Sequence, residues 1–275
     1  MSDQQKRLNK FISESGYCSR RAADKLIEES RVKINGHIPE LGTKVQPGDV
    51  VYVDGKLIGA MPDNKSDRVY IAYNKPIGIT CTTERHVRGN IIDAIGHSDR
   101  IFPIGRLDKP SEGLIFLTSD GDIVNKILRA ENSHDKEYIV TVDKPISERF
   151  ILRMSKGVPI LGTITKPCIV KVHSKYEFRI ILTQGLNRQI RRMCEYLDYE
   201  VLKLKRSRIM SVELGTLRPG QWRDLTKEEM TEINSAVATS TKTALPKEED
   251  EAGDPWATVI AVNDIKTDIE NDRDK

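Results

Sequence analysis

Asp108 lies between two cations, Arg106 and Lys109, in the segment Gly105-Arg-Leu-Asp-Lys-Pro-Ser-Glu-Gly-Leu114. Neighbouring positive charge favours the ionised carboxylate, and an ionised, positioned carboxylate can act as a nucleophile or as a base. Two further groups could work beside it. Tyr138, in Lys136-Glu-Tyr-Ile-Val140, offers an aromatic face and a proton-bearing hydroxyl. Its plain alternative is a sheet tyrosine that faces the core with its hydroxyl at the rim. The run Gln184-Gly-Leu-Asn-Arg-Gln-Ile-Arg-Arg-Met193 follows an apolar strand and opens a helix. On it Ile190, Met193, Cys194 and Leu197 have core-facing spacing. Arg188 and Arg192 then point away from the core, and Arg191 falls on the flank. A flank position suits a cation that reaches into a cleft to pair with a carboxylate. Its plain alternative is an arginine stem lying over the core beneath a solvated head.

Positioning these groups requires a rigid frame. Apolar runs, Ile101 to Ile104 and Leu114 to Leu117, flank the Asp108 segment and read as strands with a charged loop between them. Other strand-like runs are Val69 to Tyr73, Glu137 to Val142, Cys168 to Val172, Phe178 to Leu182 and Ile209 to Leu214. Helices are read at Asp122 to Arg129, at Ser147 to Ser155, and after a capping box formed by Thr226 and Glu229. Strands interspersed with helices, without regular alternation, imply an α+β domain over about residues 68–233 around a mainly antiparallel sheet. Residues 6–61 form a smaller region. It has a helix through Leu8, Phe11 and Ile12, a second helix capped by Ser19, and short strands closed by the hairpin signal Asp54-Gly55. Residues 61–67 are polar and breaker-rich, as in a linker.

The 275 residues carry a net charge of +3, distributed unevenly. Residues 234–275 hold 5 Lys and Arg against 10 Asp and Glu, and the remainder holds 39 against 31. A basic body with an acidic, disordered tail is expected, and the body's charge points to a nucleic-acid partner. No apolar run is long enough to span a membrane, and the N-terminal residues lack the apolar core of a signal peptide. The four cysteines and five histidines are scattered without ligand spacing, so neither a zinc site nor a disulfide framework is expected, and a reducing cytoplasm fits.

The string GRLDxxSxGL resembles the signature of the RsuA/RluB/RluE/RluF-type pseudouridine synthase family, in which the Asp is catalytic. Lys136-Glu-Tyr resembles the family's KxY element, Asn74-Lys-Pro-Ile-Gly78 its NKPxG opening, and Asn187 to Arg191 its NRQIR run. Residues 6–60 resemble the S4-type RNA-binding domain through Arg7 to Lys10, Gly16 to Arg20, Ala23 to Ile27, Val32 to Gly36 and Val45 to Val50. The stretches Asp122 to Ala130 and Gly157 to Gly162 point to the RluF-type branch. The acidic tail departs from that branch, for which a basic tail is expected.

The resemblance implies that Asp108 is the catalytic carboxylate, that Arg191 pairs with it and that Tyr138 packs on the target base. It also implies RNA contacts on the second helix of the S4-like domain by Arg20, Arg21 and Lys25. In the catalytic domain the RNA-contact set is Arg106, Leu107, Lys109, Asn187, Arg188, Gln189, Ile190 and Arg192. Lys203, Lys205, Arg206 and Arg208 would extend that basic surface. The implied reaction is isomerisation of a flipped uridine to pseudouridine without cofactor or metal, by a cytoplasmic monomer, in a stem-loop of 23S ribosomal RNA. The competing expectations are the same chemistry on a tRNA anticodon loop, or a non-enzymatic RNA-binding or ribosome-assembly factor.

Overall fold

The computed structural model describes residues 5–58, 68–128 and 134–238. The linker at 61–67, nearly all of the acidic tail and the end of the helix read to Arg129 lie outside the described residues.

In the N-terminal region β1 (Lys6–Arg7) leads into α1 (Leu8–Glu14), and α2 (Arg20–Glu28) follows. Four short strands come next: β2 (Val32–Ile34), β3 (Lys44–Val45), β4 (Val51–Val53) and β5 (Lys56–Ile58). The Ser19 hydroxyl caps α2 by accepting from the Ala22 N–H at 3.1 Å. Leu8 and Ile12 on α1, and Ala23, Leu26 and Ile27 on α2, bury against Val32, Val51 and Val53. The β4–β5 hairpin turns at Asp54-Gly55, both with positive φ, as the dipeptide predicts.

The larger domain contains β6 (Tyr70–Lys75), α3 (Ile91–Ile95), β7 (Phe102–Ile104), β8 (Glu112–Thr118), α4 (Gly121–Leu128) and β9 (Lys136–Val142). It continues with α5 (Glu148–Lys156), β10 (Pro159–Ile160), β11 (Thr163–Ile164), β12 (Ile169–Ser174) and β13 (Glu177–Leu182). Then come α6 (Gln189–Tyr196), β14 (Val201–Ile209), β15 (Val212–Glu213), β16 (Trp222–Asp224) and α7 (Lys227–Val237). The main sheet has the order β12-β13-β9-β14-β8-β6-β16, with β7 added to β8 and β15 to β14. Every pairing in it is antiparallel except β14 with β8. That parallel seam joins the two halves of the sheet and brings β8, which directly follows the Asp108 loop, next but one to β9, which carries Tyr138.

The seam depends on Gly113. Its φ is +109°, and a Cβ there would lie 2.3 Å from the Arg206 carbonyl oxygen. Only glycine allows both the conformation and the approach.

Two expectations need correction. The strand expected over Ile209 to Leu214 is the end of one strand and the start of another. β14 stops at Ile209, Met210 turns with φ 53°, and β15 folds back on it. The nine-residue β14 itself has no counterpart among the strands expected from the sequence. Its register shifts between Val201 and Lys203 and again between Arg206 and Arg208, so the buried positions do not alternate. The closing helix α7 has the predicted capping box, with Thr226 and Glu229 bonding reciprocally at 3.1 and 2.8 Å. It runs through Val237, past the boundary that composition suggests at 233, because Ile233 and Val237 both bury against α4 and its neighbours.

No helix among the described residues is long and apolar enough to cross a membrane.

Candidate active site

The Asp108 loop joins β7 to β8 and is held from beneath on both sides of the aspartate. The Leu107 N–H donates to Cys81 Sγ at 3.3 Å, with the Leu107 side chain buried in the core. The Lys109 carbonyl accepts from the Gly78 N–H at 2.8 Å. The Asn74-Lys-Pro-Ile-Gly78 stretch is thus a brace for the loop. Lys75 within it is completely buried, and its Nζ donates to the Pro76 and Ile79 carbonyls at 2.9 Å each. Burial lowers the Lys75 pKa, while the charges of Asp108 and Glu112 pull it upward.

The carboxylate of Asp108 meets two cations that are distant in sequence. Arg188 Nη1 is 3.6 Å from Oδ2, and Arg191 Nε is 4.0 Å from the same oxygen. Its sequence neighbours Arg106 and Lys109 are exposed and make no ion pair with it among the described residues.

Arg191 is rigidly fixed. Nη1 donates to the Val201 carbonyl at 3.1 Å, and Nη2 to the Pro110 carbonyl and the Ser111 hydroxyl at 3.3 Å each. Its buried Nε has no hydrogen-bond partner among the described residues and is the atom that faces Asp108 at 4.0 Å. Burial, reinforced by the charge of Arg188, lowers the Arg191 pKa, and Asp108 offsets part of that. This donor stands ready for a carboxylate that tightens its contacts when substrate is bound.

Arg188 is the residue before α6 and takes a left-handed conformation, φ 50° and ψ 34°. The helical spacing that turns it from the core is right, but the αL step aims its head at Asp108.

Tyr138, half-buried on β9, packs against the core clusters on both sides of the seam. It lines one cleft together with Arg106, Leu107, Asp108 and Ser111, faced by Leu182, Gln184, Leu186, Arg188, Gln189, Ile190 and Leu204. Gln189 and Ile190 are buried at its floor. Gln189 Oε1 accepts from the Leu186 N–H at 3.0 Å, so this side chain shapes the 184–189 loop. Asn187 is exposed and accepts from Arg192 Nε through its carbonyl at 3.2 Å.

Three residues near the cleft have roles that the sequence does not announce: Cys81, Ser111 and, above all, Arg206. Sequence places Arg206 with Lys203, Lys205 and Arg208 on a basic surface. It is instead buried, with Nε donating to the Leu114 carbonyl at 2.6 Å and Nη1 3.5 Å from the Tyr138 hydroxyl. Arg208 also turns inward, 3.6 Å from Glu137. Two residues before Tyr138, burial pushes the pKa of the Lys136 ammonium down to about 8. Among the described residues no group of three or more His, Cys, Asp or Glu is placed to hold a metal ion.

Arg20, Arg21 and Lys25 are exposed on α2, and Lys25 lies 3.7 Å from Glu29. Helix α1 meets the larger domain through Lys10 to Asp122 at 2.7 Å and Arg100 to the Ser13 carbonyl at 2.9 Å.

Comparison with known proteins gives the chain its chemistry. A family model described as RNA pseudouridylate synthase matches residues 69–196, and the S4 domain matches residues 6–57. The chain is 58% identical over 247 residues to the dual-specificity RNA pseudouridine synthase RluF of Escherichia coli (strain K12), covering 90% of this chain and 84% of that protein. This chain belongs to the RNA pseudouridine synthase family. It is 33% identical over 238 residues to ribosomal large subunit pseudouridine synthase B of Bacillus subtilis (strain 168), covering 83% and 96% of the two chains. A crystal structure of a pseudouridylate synthase superposes with a TM-score of 0.61 at 29% identity, over 83% of this chain and 99% of that one. As an RNA pseudouridine synthase the enzyme isomerises uridine to pseudouridine in RNA, which sets aside the reading as a non-enzymatic assembly factor. The S4-like domain followed by an α+β synthase domain is the architecture expected from the sequence.

Proposed function

We propose that the enzyme acts on a uridine in a stem-loop of 23S ribosomal RNA, with Asp108 as the reacting carboxylate. The observation that carries this is the cleft shared by Asp108 and Tyr138, where Arg191 keeps one buried donor free of any partner but the aspartate. The target uridine leaves its stack to enter the cleft, and a loop nucleotide is cheaper to extrude than one in a regular duplex. The N1–C1′ bond breaks, the uracil turns, and C5 bonds to C1′ while a proton passes from C5 to N1. No electrons or groups are gained, so the chemistry calls for no redox partner or donor. Arg191 orients the carboxylate, and the Tyr138 ring supports the base while it turns. Arg188 exchanges Asp108 for an RNA phosphate. The B. subtilis relative is by name a large-subunit enzyme, which favours 23S RNA. The E. coli relative is by name dual-specific, which favours a second substrate, and a tRNA anticodon loop is the competing RNA. All four cysteines are free, as suits a cytoplasmic enzyme.

The test is tritium release from uridine-labelled ribosomal RNA by the wild type and by Asp108→Asn. Loss of release in the variant is the expected result, and undiminished release would remove Asp108 from the reaction. Mapping pseudouridines in 23S RNA and tRNA from cells lacking the protein identifies the substrate.

A further inference from the structure

Arg206 is a buried cation with no part in the chemistry assigned to Asp108, Arg191 and the Tyr138 ring. It is 4% exposed, and no carboxylate lies within ion-pair distance of it among the described residues. Its Nε is committed to the Leu114 carbonyl at 2.6 Å, and its Nη2 is buried without a hydrogen-bond partner among the described residues. A buried charge held this way is costly, and a leucine or methionine would fill the same strand position at lower cost. Such an outlier marks a place where stability has been traded for something else. The side chain its head group meets is Tyr138, with Nη1 3.5 Å from the hydroxyl and the guanidinium carbon 5.9 Å from the ring centroid.

The placement is fixed by the backbone. Arg206 pairs across the sheet with Tyr138 on β9 and with Gly113 on β8. It therefore stands between the tyrosine and the strand that leaves the Asp108 loop.

We infer that Arg206 is a positioning residue that makes the Tyr138 hydroxyl a directed donor into the cleft, an inference that rests on the reading of Tyr138 as the platform for the base. A guanidinium has five N–H donors and no acceptor, whereas a phenol both donates and accepts. Between the two, the phenol oxygen must accept. Its own proton then points away from Arg206, toward the cleft that Tyr138 lines. Uracil presents two carbonyl oxygens, both acceptors, to a donor placed there. The 3.5 Å separation is long, as catalytic hydrogen bonds often are before substrate arrives. A hydroxyl held as a donor gives the freed uracil one fixed contact while its glycosidic bond is broken, and so selects the orientation in which C5 faces the sugar.

A double-mutant cycle tests this with the full chain and a labelled RNA stem-loop. Tyr138→Phe keeps the ring and removes the hydroxyl. Arg206→Met keeps the volume and removes the donor. Each single variant is expected to lower kcat by about tenfold, the worth of one oriented hydrogen bond, with KM for RNA within about twofold. The double variant is expected to be no slower than Tyr138→Phe alone. If the losses multiply to about a hundredfold, Arg206 acts independently of Tyr138 and the inference fails. Wild-type kcat for Arg206→Met sinks it as well. If Tyr138→Phe itself turns over at the wild-type rate, the hydroxyl has no role; if Tyr138→Leu does too, the platform reading falls on its own. Should Arg206→Met not fold, as judged by thermal melting, Arg206→Leu completes the same cycle, because it too fills the strand position without a donor.

Discussion

Arg191 and Arg206 on one side, and Arg20, Arg21 and Lys25 on the other, are all cations in a protein that handles RNA, yet they are held in opposite ways. The Arg191 side chain is 14% exposed and its terminal nitrogens reach three acceptors from two separate parts of the chain. The α2 cations are exposed, and among the described residues Lys25 has a single ion pair, 3.7 Å from Glu29 at the end of the helix. A fork with fixed acceptors defines a direction, and direction is what a reacting carboxylate requires. A mobile cation defines only a local potential, and that suffices for a phosphate backbone. On the function proposed above, the difference would separate chemistry from grip within one chain, and substitutions can test it.

The largest effect belongs to the cleft. Asp108→Asn keeps the size and the polar contacts but removes the charge, and should lower kcat by roughly 10⁴-fold. RNA affinity by filter binding should stay within about twofold, since a carboxylate offers no cation to a phosphate. A comparable drop in affinity would show that the two regions are not separable. Next comes the seam that holds the cleft together. Gly113→Ala adds a Cβ 2.3 Å from the Arg206 carbonyl at φ +109° and should destabilise the fold by about 3–4 kcal/mol, read from urea unfolding. An unchanged midpoint would mean that β8 and β14 can part without cost. Arg191→Lys keeps the charge and loses the fork, so kcat should drop by about 10²-fold through misplacement of Asp108. If lysine serves as well as arginine, Arg191 belongs with the α2 cations and the contrast collapses.

How far the sequence discloses this arrangement depends on whether a residue's role is local. The Asp108 loop is legible because two apolar runs bracket it, and the core face of α6 because Ile190, Met193, Cys194 and Leu197 repeat at helical spacing. Caps at Ser19 and Thr226 are legible because the signal is one side chain bonding three residues on. What stays hidden is set by shifts of register or by distant strands. β14 hides behind two bulges, and with it Arg206, whose neighbours Lys203 and Lys205 give it the look of surface. Helical spacing places Arg188 away from the core, yet it precedes the helix in an αL conformation, so its head goes to Asp108. Lys75 lies inside a recognisable motif, but nothing in five residues shows that a lysine will be wholly buried against backbone carbonyls.

The smallest predicted effects lie on α2, and they test the other half of the contrast. Arg20→Ala, Arg21→Ala and Lys25→Ala should each weaken RNA binding by roughly two- to fivefold, because an exposed cation has little Coulomb energy in water and much side-chain freedom. Each should also lower the slope of log affinity against log salt by about 0.7 to 0.9, because one fewer phosphate is neutralised and its counterion stays condensed on the RNA. With saturating RNA, kcat should not change, since none of the three lies in the cleft. The three effects should add, because these exposed cations share no fixed acceptor among the described residues. Reduced kcat at saturation for any of them would mean that the S4-like domain sets the position of the uridine over Asp108. An unchanged salt slope for a given variant would mean that the cation meets no phosphate.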